Sequence, residues 1–425
     1  MKILFISEFF YPNIKGGGEL SSYLLAKYIL EYSKKYKKNI KIHVLTSQNN
    51  NLKKYEETEN IKIHRLLKTG EPNSLIGNIK RLEFKKSLLR NLELLNKKEN
   101  FDLIHCFNIT SIYSILLKNK IKKPFILHVN SPVLFCPKGT LIYQDKHECN
   151  LDCNLKNYTK CYLKSKNIGK INFNPLIKYN PITFFLLRKR YIEYKKLLSK
   201  FDYYIAISNY MKKRLINEGI HEKKIDIIYN IIENINQNIT KKIKHKIKNK
   251  NKEKQQIKKI LYLGPYTEPK GCKILFDVLK EINKEFIANF YGKGILKDYM
   301  IKHKNQKINI SDEVPSNEVL QIINKHDIII IPSIVAEAFS RTALEAISLK
   351  KIVIANNIGG ITDIIIDKKS GYLYNNEKEL KELICKAIDD KLKTNLKFIK
   401  KHIKKFKNQN KIFKIYQYLI NKSNR

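Results

Sequence analysis

The amino-acid sequence predicts an α/β protein built from two doubly wound parallel-sheet domains. Short apolar runs alternate with helical segments along most of the 425 residues, which is typical of parallel sheets covered by helices on both faces. A chain of this length exceeds what one hydrophobic core usually supports. Between Ile231 and Lys259 the alternation gives way to a lysine-rich stretch without an apolar period, which indicates a linker between two domains.

The first half of the chain is expected to supply one sheet. Helices are predicted from Glu19, over Ile79–Leu95 and over Ile109–Leu117. Apolar runs predict strands at Lys2–Ser7, near Lys41, near Ile61, around Asp102, over Pro124–Asn130, over Asp202–Ser208 and before Asn230. Ligands of parallel sheets bind beyond the carboxyl ends of the strands, and His105 and His128 lie at or near such ends. Each histidine could instead be a satisfied structural residue, and His128 is the one favoured for a functional role.

A glycine-rich loop separates the first predicted strand from the first helix. Gly16, Gly17 and Gly18 would let the backbone approach a ligand closely just before a helix N-terminus. The spacing is not the GxGxxG fingerprint, and the loop from Ser7 is too long for a dinucleotide-binding turn. A flexible turn is the alternative interpretation.

Residues 131–170 interrupt the alternation and hold four of the seven cysteines. These are Cys136, Cys149, Cys153 and Cys161. Four thiolates in one short segment suit a tetrahedral zinc site or an iron–sulfur cluster. The spacing C-x12-C-x3-C-x7-C lacks the paired CxxC sequences of a zinc ribbon. The sequence therefore leaves two hypotheses open, a structural metal that staples this insertion or a set of unrelated reduced thiols.

The central stretch of the second half runs from Ile328 to Ile361. Its pattern predicts a buried strand, a loop, a helix, a second buried strand and a Gly-Gly turn. Ser340 is a predicted helix N-cap, which places Glu337 in the loop and Glu345 in the second helical turn. Free amides and the helix dipole at such a start form an anion site. Because carboxylates cannot bind phosphate, the two glutamates would bind hydroxyl groups beside it, and this combination predicts a sugar-nucleotide site.

Further strands are expected at Lys259–Gly264, at EFIANFY before the Gly292–Gly294 turn, at KIVIANN and at SGYLY. The last segment, Asn395–Ile420, is amphipathic and basic and predicts a terminal helix.

The net charge of +44, from 83 Lys and Arg against 39 Asp and Glu, has three interpretations. It can reflect a general compositional bias, attraction to an anionic membrane surface, or binding of nucleic acid. Nucleic acid is disfavoured because the densest lysine run lies in the linker without an accompanying stacking motif. No signal-peptide core and no run of ~18 apolar residues are found, and seven cysteines without an export signal indicate a reducing compartment. We expect a cytoplasmic protein, with a peripheral location on the inner membrane face left open.

Together these segments resemble glycosyltransferase family 4, whose members are retaining enzymes of GT-B architecture. The resemblance covers nearly the whole chain in the order of the family's motifs. They are GGGE at Gly16–Glu19, HVN from His128, CPKGTL from Cys136, AISNYMKKRL from Ala206, IIYN ending at Asn230, GPYTEPKG at Gly264–Gly271, EAFSRTALE at Glu337–Glu345, and the glycine pair from Gly359. CPKGTL is similar to a subset of the family with a cysteine-bearing insertion.

The resemblance implies two Rossmann-like domains facing each other across a cleft. Residues 1–230 would form the acceptor-side domain with 131–170 as its insertion, 231–258 the basic linker, and 259–405 the nucleotide-sugar domain. Residues 406–425 would form a C-terminal helix that packs back on the N-terminal domain.

The resemblance also implies roles for individual residues. Lys270 would neutralise the donor diphosphate, and the amides of Phe339, Ser340 and Arg341 would bind the same group. Glu345 would accept hydrogen bonds from the ribose, and Glu337 from the transferred sugar. Catalytic roles would fall to His128 and Glu337, and Gly16 and Gly17 would close over the donor. No divalent metal would be needed for catalysis, because the protein's cations and amides would stabilise the leaving group.

The expected function is transfer of a sugar from a UDP- or GDP-sugar to a glycan or lipid-linked acceptor, in cell-surface polysaccharide or glycolipid synthesis. A nucleotide-sugar hydrolase or epimerase of the same fold, and a basic nucleic-acid-binding protein, are the alternatives. Three positions depart from the family pattern. Pro265 replaces the arginine of the GRxxxxKG loop, and Ala338 and Ser340 replace glycines beside Phe339. These departures concern the identity of the donor more than the fold.

Overall fold

The computed structural model describes residues 1–14, 16–49, 51–58, 60–69, 82–107, 109–144, 147–165, 180–232 and 257–423. The chain divides into two compact units, one formed by Met1–Ile231 with Lys407–Arg425 and the other by Ile232–Phe406. Most of the predicted basic linker, residues 233–256, lies outside the described residues. Within the described part of the chain, no helix is long and apolar enough to cross a membrane.

The first unit is built on an eight-stranded sheet. Its strands are β1 (Lys2–Ile6), β2 (Lys41–Ser47), β3 (Tyr55–Thr58), β4 (Ile61–Leu67), β5 (Leu103–Phe107), β6 (Phe125–Val129), β9 (Tyr203–Ala206) and β10 (Ile225–Ile227). Two further strands, β7 (Ile142–Tyr143) and β8 (His147–Glu148), form a small separate hairpin. The order in the large sheet is β10-β9-β6-β5-β1-β2-β4-β3. All of its neighbours are parallel except the β3–β4 pair.

Helices cover this sheet and close its core. They are α1 (Gly17–Lys35), α2 (Leu82–Glu99), α3 (Lys118–Ile121), α4 (Leu155–Lys164), α5 (Pro181–Leu198) and α6 (Asn209–Asn217). The core of the unit combines strand residues such as Ile3 and Phe5 with Ile412, Phe413 and Tyr416 from the end of the chain. The last helix therefore belongs to the core of the first unit, because its apolar side chains pack with those of the sheet.

The second unit contains a six-stranded parallel sheet. Its strands are β11 (Lys258–Leu263), β12 (Phe286–Tyr291), β13 (Ile308–Ser311), β14 (Ile328–Ile331), β15 (Ile352–Asn356) and β16 (Tyr372–Tyr374), in the order β13-β12-β11-β14-β15-β16. The helices are α7 (Cys272–Lys280), α8 (Lys297–His303), α9 (Val319–Asn324), α10 (Arg341–Ser348), α11 (Glu377–Ile388) and α12 (Leu396–Lys404). The four buried isoleucines of β14 lie at the centre of this sheet, as their uninterrupted apolar run predicts.

One predicted helix is refined and another needs correction. The helix expected over Ile109–Leu117 is a 3-10 helix, Thr110–Leu117. The amphipathic end of the chain is not one helix but two, α12 and α13 (Lys411–Ser423). The break between the two helices lies where the chain passes from the second unit to the first. The apolar faces of both helices follow each other closely in the sequence, which is why the sequence pattern predicted one helix.

Candidate active site

Lys270 is positioned by a tightly packed loop in the second unit. It ends a 3-10 turn, and the next residue, Gly271, has a left-handed backbone with φ of 68°. A Cβ at Gly271 would lie 1.8 Å from the carbonyl oxygen of Pro332, so only glycine fits there. The Pro269 carbonyl accepts a hydrogen bond from the amide of Ile334 at 3.1 Å. The loop that carries Lys270 is therefore held against the segment that follows β14.

Glu337 meets Lys270 at this place. The Nζ atom of Lys270 lies 2.5 Å from Oε1 of Glu337, and Ser333 Oγ donates to the same carboxylate oxygen at 2.7 Å. Asn356 Nδ2 donates to the Ser333 carbonyl at 3.0 Å. Neither Ser333 nor Asn356 belongs to a motif that identifies it from the sequence. Their positions could have identified them, because each lies at the carboxyl end of a strand, where parallel sheets bind ligands.

The Gly359–Gly360 pair supports the backbone of Glu337. The amide of Gly360 donates to the Glu337 carbonyl at 2.6 Å. A Cβ at Gly360 would lie 2.2 Å from the carbonyl oxygen of Ala338, and one at Gly359 would lie 2.8 Å from the backbone of Glu337. The glycine pair therefore lets two backbone segments come into direct contact.

Ser340 is the N-cap of α10, as predicted, and its Oγ accepts a hydrogen bond from the amide of Ala343 at 3.3 Å. Arg341 is the first residue of the helix and half-buried Glu345 lies in its second turn. The ring of Phe339 packs edge-on against Phe406 at 6.1 Å between centroids. The start of this helix, with its amides and the positive end of its dipole, directly follows the loop that carries Glu337.

Pro265 has a structural role in this unit. Its carbonyl oxygen accepts a hydrogen bond from the Tyr262 hydroxyl at 2.8 Å. Burial, reinforced by the nearby Cys272 and Glu337, raises the pKa of Tyr262 well above its usual value. The tyrosine therefore stays a neutral donor. Pro265, at the position where the family pattern has an arginine, thus accepts a hydrogen bond that stabilises the loop.

The first unit holds the predicted glycine loop and His128. Gly16 is the extended, exposed residue before α1, and a Cβ at Gly17 would meet nothing within 4 Å. His128 lies next to the last residue of β6 and is 4% exposed. With Asn130 and Ser131 it lines a small cavity at the end of the strand. Burial lowers the pKa of His128 to about 3, so its imidazole is neutral at neutral pH.

Glu8 is a buried carboxylate outside the motifs that predict the candidate site. It follows β1 at its carboxyl end and is 5% exposed. The hydroxyl of Thr69 donates to Oε1 at 2.7 Å, and that of Thr110 donates to Oε2 at 3.1 Å. Its backbone carbonyl accepts from the amide of Ser47 at 3.1 Å. A glutamate directly after an apolar strand was the signal that could have identified it.

The four cysteines of the insertion lie near one another without forming a ligand set. All are free thiols, and no group of three or more His, Cys, Asp or Glu side chains among the described residues is arranged to hold a metal ion. Burial raises the pKa of Cys153 to about 12, and charge repulsion from Cys136, Cys149 and Cys161 adds to this. The Gln144 amide donates to the Cys161 sulfur at 3.3 Å. A metal at these thiols stays a prediction.

Two protein families match the chain, one in each half. Residues 25–234 match the family described as Glycosyltransferase Family 4, and residues 243–405 match the family described as Glycosyl transferases group 1. The chain belongs to glycosyltransferase family 4. The resemblance drawn from the sequence motifs is thereby confirmed.

Individual proteins are similar along most or nearly all of the chain. An uncharacterized glycosyltransferase of Methanocaldococcus jannaschii is 24% identical over 99% of both chains. An uncharacterized protein in the cps region of Klebsiella pneumoniae is 24% identical over 86% of this chain and 87% of its own. The structure of Anabaena HepE in complex with UDP-glucose matches 99% of both chains with a TM-score of 0.61 at 16% identity. With its two parallel-sheet α/β units, this glycosyltransferase has the GT-B fold, as predicted.

Proposed function

We propose that this glycosyltransferase transfers a sugar, with retention of the anomeric configuration, from a UDP- or GDP-sugar to a glycan or lipid-linked acceptor. The proposal rests chiefly on the cluster of Lys270, Glu337 and Ser333 beside the Ser340-capped start of α10. It brings the Lys270 ammonium and the Glu337 carboxylate into contact, and Glu337 precedes the start of α10 by a few residues. A nucleotide sugar offers matching chemistry, because its diphosphate is anionic and its sugar rings carry hydroxyl groups.

Lys270 and Glu337 have separable tasks in this proposal. An ammonium group has three donors, so Lys270 can bind a diphosphate oxygen while it holds the Glu337 carboxylate. That contact orients Glu337, whose oxygens accept hydrogen bonds from the transferred sugar. The α10 amides and Lys270 stabilise the charge that develops on the leaving diphosphate. Glu345 binds the ribose, and His128, in the first unit, contacts the sugar or acceptor.

Similar proteins support the donor and acceptor classes. Anabaena HepE was crystallised with UDP-glucose, which favours a UDP-sugar for this chain. The Klebsiella relative is encoded in a cps region, which favours a role in cell-surface polysaccharide or glycolipid synthesis.

A lipid-linked acceptor is further supported by the exposed start of α5. Ile182, Phe185 and Leu186 are 65%, 63% and 59% exposed, and the exposed Lys189 and Arg190 follow on the same helix. Apolar side chains beside cations are typical of helices that lie on an anionic bilayer. We therefore propose that this end of α5 contacts the membrane surface.

Vesicle binding tests this surface. The wild-type protein should co-sediment with vesicles containing anionic lipid, and Phe185→Ser should bind several-fold less. Leu94→Ser, which changes a 54% exposed leucine elsewhere in the same unit, is the matched control. Equal binding of the two variants would show that α5 is not the contact.

Product analysis with a panel of UDP- and GDP-sugars tests the reaction itself. We expect acceptor-dependent transfer, with the donor's anomeric configuration kept in the product as read by proton NMR. Release of free sugar or an epimer without any acceptor would contradict the transferase reaction and indicate nucleotide-sugar hydrolysis or epimerisation instead. An inverted anomeric centre would overturn the retaining mechanism alone.

A further inference from the structure

A chain of hydrogen bonds leads from the last helix to His128 inside the first unit. Nδ1 of His128 lies 3.2 Å from Nε2 of His105, and Nδ1 of His105 lies 2.6 Å from the hydroxyl of Tyr416 on α13. The two imidazole rings stack at 5.3 Å between centroids. His105 and Tyr416 are completely buried.

The other end of this hydrogen-bond chain is His128, which lines the cavity at the end of β6. Nε2 of His128 is buried and has no hydrogen-bond partner among the described residues. The cavity beside it is lined by Ile109, Leu134, Asn130 and Ser131. Buried polar atoms are nearly always hydrogen-bonded, so a lone Nε2 at a cavity indicates a site for a ligand atom.

Burial decides the protonation of all three groups. It lowers the pKa of both histidines, well below the usual value for His105 and to about 3 for His128. It raises the pKa of Tyr416 well above its usual value. At neutral pH the tyrosine therefore keeps its O–H, and each imidazole carries one proton on one of its two nitrogens.

The Tyr416 hydroxyl then determines which group donates and which accepts in each of these hydrogen bonds. If Tyr416 donates to Nδ1 of His105, the proton of His105 sits on Nε2 and is donated to Nδ1 of His128. The single proton of His128 must then sit on Nε2. In the opposite direction the Tyr416 proton would have no acceptor among the described residues around this core position, which is unfavourable.

We propose that Tyr416 and His105 are positioning residues that fix the tautomer of His128, so that it presents an Nε2–H donor to the cavity. Its acceptor is a sugar hydroxyl or ring oxygen of the bound substrate, and this identification of the ligand rests on the proposed function. The tautomer itself follows from the hydrogen bonds within the first unit.

The experiment is a long-range proton–nitrogen NMR spectrum of protein labelled with ¹⁵N-histidine, without any ligand. We expect His105 and His128 to be neutral and protonated at Nε2. The Tyr416→Phe variant removes the donor at the head of the chain, so His128 should become a mixture of tautomers, and kcat should fall about tenfold or more. A His128 protonated at Nδ1 in the wild type would overturn the proposal.

Tyr204→Phe is the matched control, because it removes a hydroxyl from another buried tyrosine of this unit that donates to the Leu198 carbonyl. It should leave the His128 tautomer unchanged. If Tyr416→Phe keeps the Nε2–H tautomer, the positioning role is wrong. If Tyr416→Phe fails to fold, the wild-type spectrum still decides the tautomer. An Nε2–H tautomer in a protein that turns over no nucleotide sugar would contradict the proposed function and not this inference.

Discussion

Glu337 shows how a single carboxylate is oriented by residues distant in the chain. Lys270 and Ser333 both contact its Oε1 atom, at 2.5 and 2.7 Å, while Gly360 donates to its carbonyl at 2.6 Å. Charge-assisted hydrogen bonds are stronger than neutral ones. The side chain and backbone of Glu337 are therefore both held before any substrate binds.

Replacement of Lys270 or Glu345 by alanine should weaken nucleotide-sugar binding. A hydrogen bond to a charged group contributes about 1.5–3 kcal/mol, so we expect a roughly 10- to 100-fold higher Kd in calorimetry with the donor that turns over. Lys293→Ala is the control, since that lysine is 72% exposed and pairs with Glu313 on the surface. If neither Lys270→Ala nor Glu345→Ala changes the Kd, the donor-site assignment is wrong.

Two glycine-to-alanine variants should separate a packing role from a ligand-binding role. Gly360→Ala places a methyl carbon 2.2 Å from the Ala338 carbonyl, so we expect about 1–3 kcal/mol lower stability from overpacking. Gly17→Ala meets nothing within 4 Å and should keep its stability within about 0.5 kcal/mol while turnover falls. Denaturant unfolding and initial rates give both readouts. Unchanged turnover in Gly17→Ala would remove this glycine from the site.

At the scale of elements, periodicity predicted most strands but not those without a clear pattern. β14 coincides with an uninterrupted apolar run and β6 with an apolar run that contains His128, and both lie where the pattern predicts a strand. β3, with the sequence YEET, was missed because an exposed edge strand has no buried face to produce alternation. The β7–β8 hairpin was missed because two-residue strands carry no period.

The described residues of the cysteine insertion include a small aromatic cluster. Tyr158 and Tyr162 are buried in it and are packed by Cys153, Phe184 and Leu187. Small scaffolds are commonly stapled by a metal or disulfides. This is a physical reason to keep the metal hypothesis, although the thiols do not form a ligand set in the described structure.

Metal analysis of protein purified anaerobically without chelators tests this hypothesis. We expect one zinc per chain or an iron–sulfur cluster, and Cys153→Ser should lose it and lower the melting temperature. Cys106→Ser, which changes a buried thiol in β5 outside the insertion, should keep the metal. A wild-type protein free of zinc and iron would leave only reduced thiols.

At the scale of the whole molecule, the first unit buries several neutral histidines in one sheet. Burial lowers the pKa of His43 to about 4, despite the nearby Glu99, and that of His128 to about 3. Burial also lowers the pKa of His105 well below its usual value. The unfolded chain binds these protons more readily than the folded chain. The contribution of these neutral histidines to the free energy of unfolding is therefore fully present above pH 6.5. It is lost as the pH falls below that value.

Acid should accordingly destabilise the first unit well before its carboxylates titrate. Each such histidine contributes up to about 1.4 kcal/mol per pH unit, measurable as the free energy of unfolding in denaturant between pH 7 and pH 4. His43→Gln should make this dependence shallower, whereas His221→Asn, at an exposed position of the same unit, should follow the wild type. Equal slopes for all three proteins would exclude His43 as a source of the pH dependence.

The sequence alone determined the fold class, the family and the local features of the candidate site. Strand runs, the Ser340 N-cap and the glycine turns depend on residues close in the chain, so local pattern predicts them. The contact of His105 with Tyr416 joins residues 311 positions apart, and that of Lys270 with Glu337 joins residues 67 positions apart. Only the tertiary structure could decide these contacts, because they depend on strand order and on which sheet a helix covers.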